Sequence, residues 1–388
     1  MHYNFDKVIN RKNVNSYKWD VNEGELPMWV ADMDFETTSE IISAIQKRLD
    51  KGAFGYNIVP DSLFNAYISW WERRHQFTLK KEWLMFCTGA VPAISSIVRK
   101  VTRQGDKVVL MTPIYNIFYN SIINNNRHVL ESPLKYADGS YSINYEDLEA
   151  KLADEKTSLM IFCNPHNPNG KVWTQDELKR IGQLCLKHHV LILSDEVHCD
   201  LVHPDAKYTP MASVSDTIAE ITMTCLSPSK AFNIAGLQSA IISVPDTELY
   251  KLVNRAINTD EVAEPNTFAI EATQAAFNAG ESWLEHLNSY LTQNRDFLAT
   301  QLHRELPEIR IVSAQATYLA WLDCSAITRD TKELCDFIRK ESGLILSDGA
   351  IFGGNGNLFI RWNYACPKSV LEDGIGRFTE AVQHFKEE

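Results

Sequence analysis

The chain has no long hydrophobic run: no stretch reaches the roughly 18 apolar residues that cross a bilayer, so no membrane span or membrane partner is expected. It also has no basic face. Thirty-eight lysines and arginines stand against 50 aspartates and glutamates, a formal net charge of −12, and no local run of cations compensates. Nucleic acid and anionic membrane surfaces both need such a face, so neither is an expected partner. Paired cysteines are missing too. Cys87, Cys163, Cys185, Cys199, Cys225, Cys324, Cys335 and Cys366 are scattered singly, mostly inside apolar runs, with no CxxC spacing. That pattern argues for small buried hydrophobes in a reduced, cytoplasmic protein, and no metal site is expected. The opening Met1-His2-Tyr3-Asn4-Phe5-Asp6-Lys7 carries no apolar core of a secretory leader, and no internal repeat or low-complexity segment is visible.

What is present is an ordinary globular balance, 45% apolar and 23% charged over 388 residues, long enough for about two domains with a buried core. Residues 1 to about 50 read as an irregular arm followed by a helix with Ile41, Ile42, Ile45 and Leu49 at helical spacing. The arm reads as packing or a subunit contact, with Asp32 and Asp34 as capping or turn residues. A second amphipathic helix is expected around Leu63 to Arg74. From about residue 86, short apolar runs alternate with helical patterns; the runs are Val108 to Met111, Leu159 to Cys163, Val190 to Leu193, Glu220 to Leu226 and Ala240 to Val244. This predicts an α/β fold with a largely parallel sheet between helices. Beyond residue 245 a long helix, Glu281 to Leu306, and strand-like Tyr318 to Leu322 and Leu358 to Trp362 suggest a smaller α+β unit. We expect a large domain over 51–284, and a small one formed by 285–388 together with 1–50 and its arm.

Ligands of such sheets bind beyond the carboxyl ends of the strands. After Phe86-Cys87 come Gly89, Ala90 and Val91 at the start of a helix patterned by Ile94, Ile97, Val98 and Val101, where free N–H groups can hold a phosphate. The next strand ends offer Tyr115, then Asn167 within Asn164-Pro165-His166-Asn167-Pro168, then Asp195-Glu196. The last offers Lys230 within Ser227-Pro228-Ser229-Lys230-Ala231-Phe232-Asn233. Arg361 lies inside an apolar strand-like run, where an unpaired guanidinium is costly, so a carboxylate partner is expected, internal or substrate. Glu196, one residue from Asp195, reads as structural.

A phosphate cradle, an aromatic ring, an asparagine, a carboxylate and a lysine are the parts needed to hold pyridoxal 5′-phosphate (PLP). In this order the motifs resemble the fold-type I, aspartate-aminotransferase-like PLP enzymes (aminotransferase class I/II fold), and among them the MalY/PatB-type cystathionine β-lyases. The resemblance runs from Trp29-Val30-Ala31-Asp32-Met33-Asp34-Phe35 to the Arg361 region. It implies Lys230 as the Schiff-base lysine, Asp195 as partner of the pyridine nitrogen, Asn167 on the ring 3-oxygen and Tyr115 against the ring face. It places the phosphate on Gly89, Ala90, Val91, Ser227 and Ser229, and on Tyr56 reaching across from a second subunit of a homodimer. Arg361, with Asn167, would bind the substrate carboxylate. Two positions depart from the aminotransferase pattern: Gln238 stands where a phosphate-binding arginine is usual, and His198 where many have tyrosine. Both fit the lyase branch; His198 either donates to the ring oxygen or fills space.

The function this implies is a carbon–sulfur β-lyase acting on L-cystathionine, L-cysteine or S-substituted cysteines, with Lys230 as the base and Tyr115 or Tyr56 as proton donor to sulfur. An aminotransferase is the nearest alternative. A regulatory binding protein that keeps the fold is an alternative of another class.

Overall fold

The computed structural model describes residues 3–387; Met1, His2 and Glu388 lie outside the described residues, so the expectation about the opening stretch is outside them at Met1 and His2. All five apolar runs enter one seven-stranded sheet. Its spatial order is Leu84–Cys87, Ala240–Ser243, Thr222–Leu226, Leu191–Asp195, Thr157–Cys163, Lys107–Leu110, His128–Glu131. Only Ala240–Ser243 runs antiparallel to its neighbours; the pairs from Thr222–Leu226 to His128–Glu131 are parallel. The runs are nearly unbroken in apolar character because both faces are covered. Val108 and Leu110 pack with Ile94, Ile97 and Val98 on one side, whereas Val109 packs with Met160, Phe162, Leu178 and Ile181 on the other. One strand starts later than its run suggests: Asp216–Glu220 is a helical turn capped by the Ser215 hydroxyl, which accepts from the Ile218 N–H, so Glu220 and Ile221 precede the strand.

The expected long helix forms over Glu281–Glu305, with Leu284, Leu287, Leu291, Leu298 and Leu302 all buried. It shares a core with the second sheet, ordered Arg310–Ile311, Leu319–Asp323, Phe359–Asn363, Ser347–Asp348 and antiparallel throughout. The N-terminal segment joins this part of the chain: Leu26–Pro27 pairs in parallel with Leu344–Ile345. The first helix forms where its spacing placed it, over Ser39–Leu49. Of its four apolar residues Ile41 alone is fully buried, and Ile42 and Leu49 are half exposed, because the helix rests on the alanine-rich Ala269–Ala279 through a narrow stripe. Among the described residues no helix is long and apolar enough to cross a membrane, and all eight cysteines are buried and free.

Candidate active site

Strand register brings the expected residues to one level. Cys163 pairs with Asp195, and Asp195 with Cys225, so the chain leaves three neighbouring strands side by side. The Asn164–Gly170 turn is fixed by backbone bonds of His166 N–H to Lys171 O and Gly170 N–H to His166 O. The buried His166 ring reaches the Pro113 carbonyl at 2.8 Å, tying this turn to the one that carries Tyr115. A carbonyl only accepts, so Nε2 carries the proton; burial lowers the ring to about 4 and keeps it neutral.

Asp195 and Glu196 are both buried but differently served. Glu196 accepts from Ser194 Oγ at 2.7 Å and Met211 N–H at 3.0 Å, and also from the Tyr208 hydroxyl, which fits its structural reading. Among the described residues the Asp195 carboxylate accepts from Val197 N–H alone, at 3.3 Å. Burial pushes its carboxyl up to about 7, against the pull of that N–H and of Lys230. A carboxylate so short of donors is stabilised by any cationic N–H brought to it.

Lys230 sits in a turn closed by Phe232 N–H to Pro228 O and Ile234 N–H to Ser229 O. Its ammonium donates to the Ala31 carbonyl at 2.8 Å. Burial lowers its pKa, with Asp32 and Asp195 opposing and Arg361 assisting. Arg361 is 6% exposed and has no carboxylate within ion-pair distance among the described residues. It donates to Asn167 Oδ1 at 3.2 Å and to the Trp29 carbonyl at 3.0 Å, lies 4.7 Å from the Phe352 ring centroid, and leaves Nε without a partner. Burial lowers it to about 10. Of the two partners expected for Arg361, the internal carboxylate is thus not there.

Asn167 gives its oxygen to Arg361, which leaves its amide N–H groups free to face the site. Tyr115 follows Thr112-Pro113 and packs edge-on to Phe118 at 5.5 Å. Gly89 caps the helix Ala90–Val101 at φ 135°, a conformation that side chains rarely adopt, and the N–H groups of Ala90 and Val91 open that helix. Ser227 is committed otherwise: its hydroxyl donates to Ser239 O at 2.6 Å and accepts from Ser229 N–H at 3.1 Å. Its proton is therefore already used, and Ser229 is the freer hydroxyl of the two. His198 is buried, lowered to about 3 by burial and by the Lys230 and Arg361 charges, with Nδ1 unpartnered and its ring 6.2 Å from Tyr318. Tyr56 is fully exposed and lies outside this cluster within one chain.

Three contributors escaped the sequence reading. The arm delivers the carbonyls of Trp29 and Ala31 to Arg361 and Lys230, Phe352 supports the guanidinium, and Tyr318 stands against His198. Asp32 and Asp34 are not turn caps; they pair with Arg11 and Lys18. One group of potential metal ligands, His75, Cys199 and Asp200, comes together. There Asp200 is held by Trp70 Nε1 at 3.0 Å, by His75 at 3.0 Å and by the nearby Arg74 at 3.6 Å, which gives it a structural role.

A largely parallel sheet whose strand ends present a desolvated lysine and a donor-poor aspartate, met by a guanidinium without a carboxylate from the second sheet, defines a class. The chain belongs to the aminotransferase class I and II family, whose model matches residues 26–378. Within it the chain is 40% identical to cystathionine beta-lyase PatB of Bacillus subtilis, over 98% of this chain and 100% of that protein. It superposes on cystalysin from Treponema denticola, which contains a PLP cofactor, with TM-score 0.96 and 31% identity over 99% of this chain and 100% of that one. The PLP-bound C–S lyase from Staphylococcus hominis gives TM-score 0.93 and 35% identity over 98% of each chain.

Proposed function

We infer that the chain is a PLP-dependent carbon–sulfur β-lyase that cleaves L-cystathionine, L-cysteine or related S-substituted cysteines to pyruvate, ammonia and a thiol. The observation that carries this is Arg361: a buried guanidinium without a carboxylate, in the same site as a desolvated lysine. An α-amino acid supplies the missing carboxylate in the bidentate form a guanidinium fork prefers.

The residues present fit PLP. Asp195, short of donors, would take the pyridine N–H, and Asn167 would offer its free amide to the ring 3-oxygen. Tyr115 would lie against the ring, with the phosphate at Gly89, Ala90, Val91 and Ser229. When bound, PLP supplies an electron sink for the negative charge that develops at the substrate α-carbon. The chain's own residues do the rest. Arg361 fixes the carboxylate and so orients the α-C–H bond; Lys230, whose pKa burial lowers, removes that proton. The C–S bond then breaks, the thiolate takes a proton from Tyr115 or from Tyr56 of the partner subunit, and water hydrolyses the released unsaturated amine to pyruvate and ammonia. His198, held neutral by burial and by the Lys230 and Arg361 charges, adds no further positive charge to the site.

A homodimer with shared sites is part of this reading. Phe54, Tyr56 and Ile58 are all exposed in one chain, the character of a segment that a second copy covers. A reducing cytoplasmic setting fits the eight free, buried cysteines.

Incubation with L-cystathionine and no keto acid is the test. Catalytic pyruvate and free thiol support the lyase, whereas one stoichiometric amino transfer without pyruvate makes the protein an aminotransferase instead.

A further inference from the structure

The stretch from Trp29 to Phe35 has almost no regular secondary structure, yet nearly every carbonyl in it is engaged by a side chain. Trp29 O accepts from Arg361 at 3.0 Å, Val30 O from Asn363 at 2.6 Å, and Ala31 O from Lys230 at 2.8 Å. Asp32 O accepts from Asn363 at 2.7 Å and from Lys18 at 3.0 Å. Met33 O accepts from Asn233 at 3.0 Å and from Arg11 at 2.9 Å, and Phe35 O from Asn233 at 2.8 Å. Side chains, not a β-ladder, give this stretch its shape. Three of the donors belong to the site or to its immediate surroundings: Lys230, Arg361 and Asn233, which is three residues beyond Lys230.

The other side of the stretch is closed by four charges that balance. Arg11 spans both oxygens of Asp32, at 3.1 and 2.7 Å, and reaches Asp34 Oδ1 at 2.9 Å. Lys18, 1% exposed, donates to Asp34 Oδ2 at 2.7 Å, and Trp19 Nε1 to Asp34 Oδ1 at 2.8 Å. Asp34 N–H is held by Ala365 O at 2.8 Å. Two cations against two carboxylates make burial of the group affordable, and the guanidinium is the member that touches Asp32, Met33 and Asp34 at once.

We propose that Arg11 is a positioning residue for the reaction: it clasps Asp32 to Asp34 so that the Trp29 carbonyl aims Arg361 before substrate arrives. It touches neither reacting group and acts through the backbone between them. Arg11 also neutralises Asp32, the carboxylate that most strongly favours the charged form of Lys230.

The inference rests on the lyase reading for its kinetic arm only. In the holoenzyme, Arg11→Met is expected to speed amide hydrogen exchange over residues 28–35 at least about tenfold while exchange in the sheet strands stays as in the parent. It is also expected to raise KM for L-cystathionine by about 10- to 100-fold, with kcat changed several-fold less. Arg11→Lys, which keeps the charge but loses the fork, is expected to recover part of both. Parental exchange over 28–35 together with parental KM overturns the clasp, as does loosening spread evenly through the chain with KM unchanged. Should Arg11→Met fail to fold, Asp32→Asn releases the same guanidinium and is read by the same two measurements. A parent enzyme that forms no pyruvate defeats the lyase reading, and the exchange result then still decides the clasp.

Discussion

Asp34 and Arg361 are both buried charges at the two ends of one short stretch of backbone, and they are kept in opposite ways. Asp34 receives Arg11, Lys18 and Trp19, all within 2.9 Å, so its charge is spent on holding the fold. Arg361 has one amide oxygen, one carbonyl and an aromatic face, with Nε left over, so its charge is unspent. The contrast recurs between Asp195 and Glu196, adjacent in sequence, of which the first is donor-poor and the second saturated. Burial alone does not separate structural from functional charges; the count of partners does.

Substitutions on the two sides should fail differently. Lys230→Ala is expected to lower pyruvate formation by about 10² to 10⁴-fold with a parental urea midpoint, because it removes the base from a site whose packing it barely supports. Equal activity would break the comparison outright. Asp34→Ala is expected to do the reverse, costing about 3–5 kcal/mol in urea unfolding, since it strands Arg11 and Lys18 without their anion. Arg361→Lys should cost about 1.5–3 kcal/mol in kcat/KM for L-cystathionine, about 10- to 100-fold, with most of it in KM, because a point charge cannot reproduce the fork. The last effect concerns pH. With its carboxyl raised to about 7 from 3.8, the native Asp195 holds a proton that the unfolded chain has released. The cofactor-free protein should therefore lose stability as pH rises from about 4 to 7, by at most about 1.4 kcal/mol per unit, and Asp195→Asn should flatten that slope in urea titrations. A slope unchanged by the substitution would place the proton elsewhere.

The sheet was legible because strands covered on both faces must be apolar without interruption, and Val108 to Met111 or Leu159 to Cys163 have no other economical reading. The side chains at the strand ends were legible for the same reason, since the end of each run marks where polar residues enter the site. The arm was not. Trp29 and Ala31 contribute through carbonyls, which every residue carries, so composition holds no trace of them. Asp32 and Asp34 find partners 21 and 16 residues upstream, in a segment without periodicity, and a local reading naturally makes them turn residues. Tyr318 sits in an apolar strand-like run, where an aromatic site residue looks like any core residue. The half-exposed Ile42 and Leu49 mark the opposite limit: helical spacing tells which face is apolar but not how much of it a neighbour will cover.

Asn167 has one oxygen and one NH2, and Arg361, which can only donate, has claimed the oxygen. The amide is thereby polarised in one sense, its acceptor end on the guanidinium that would bind the substrate carboxylate and its donor end left free for the cofactor ring. Any coupling through it is reciprocal, so substrate and cofactor would each report on the other's presence through a single planar group.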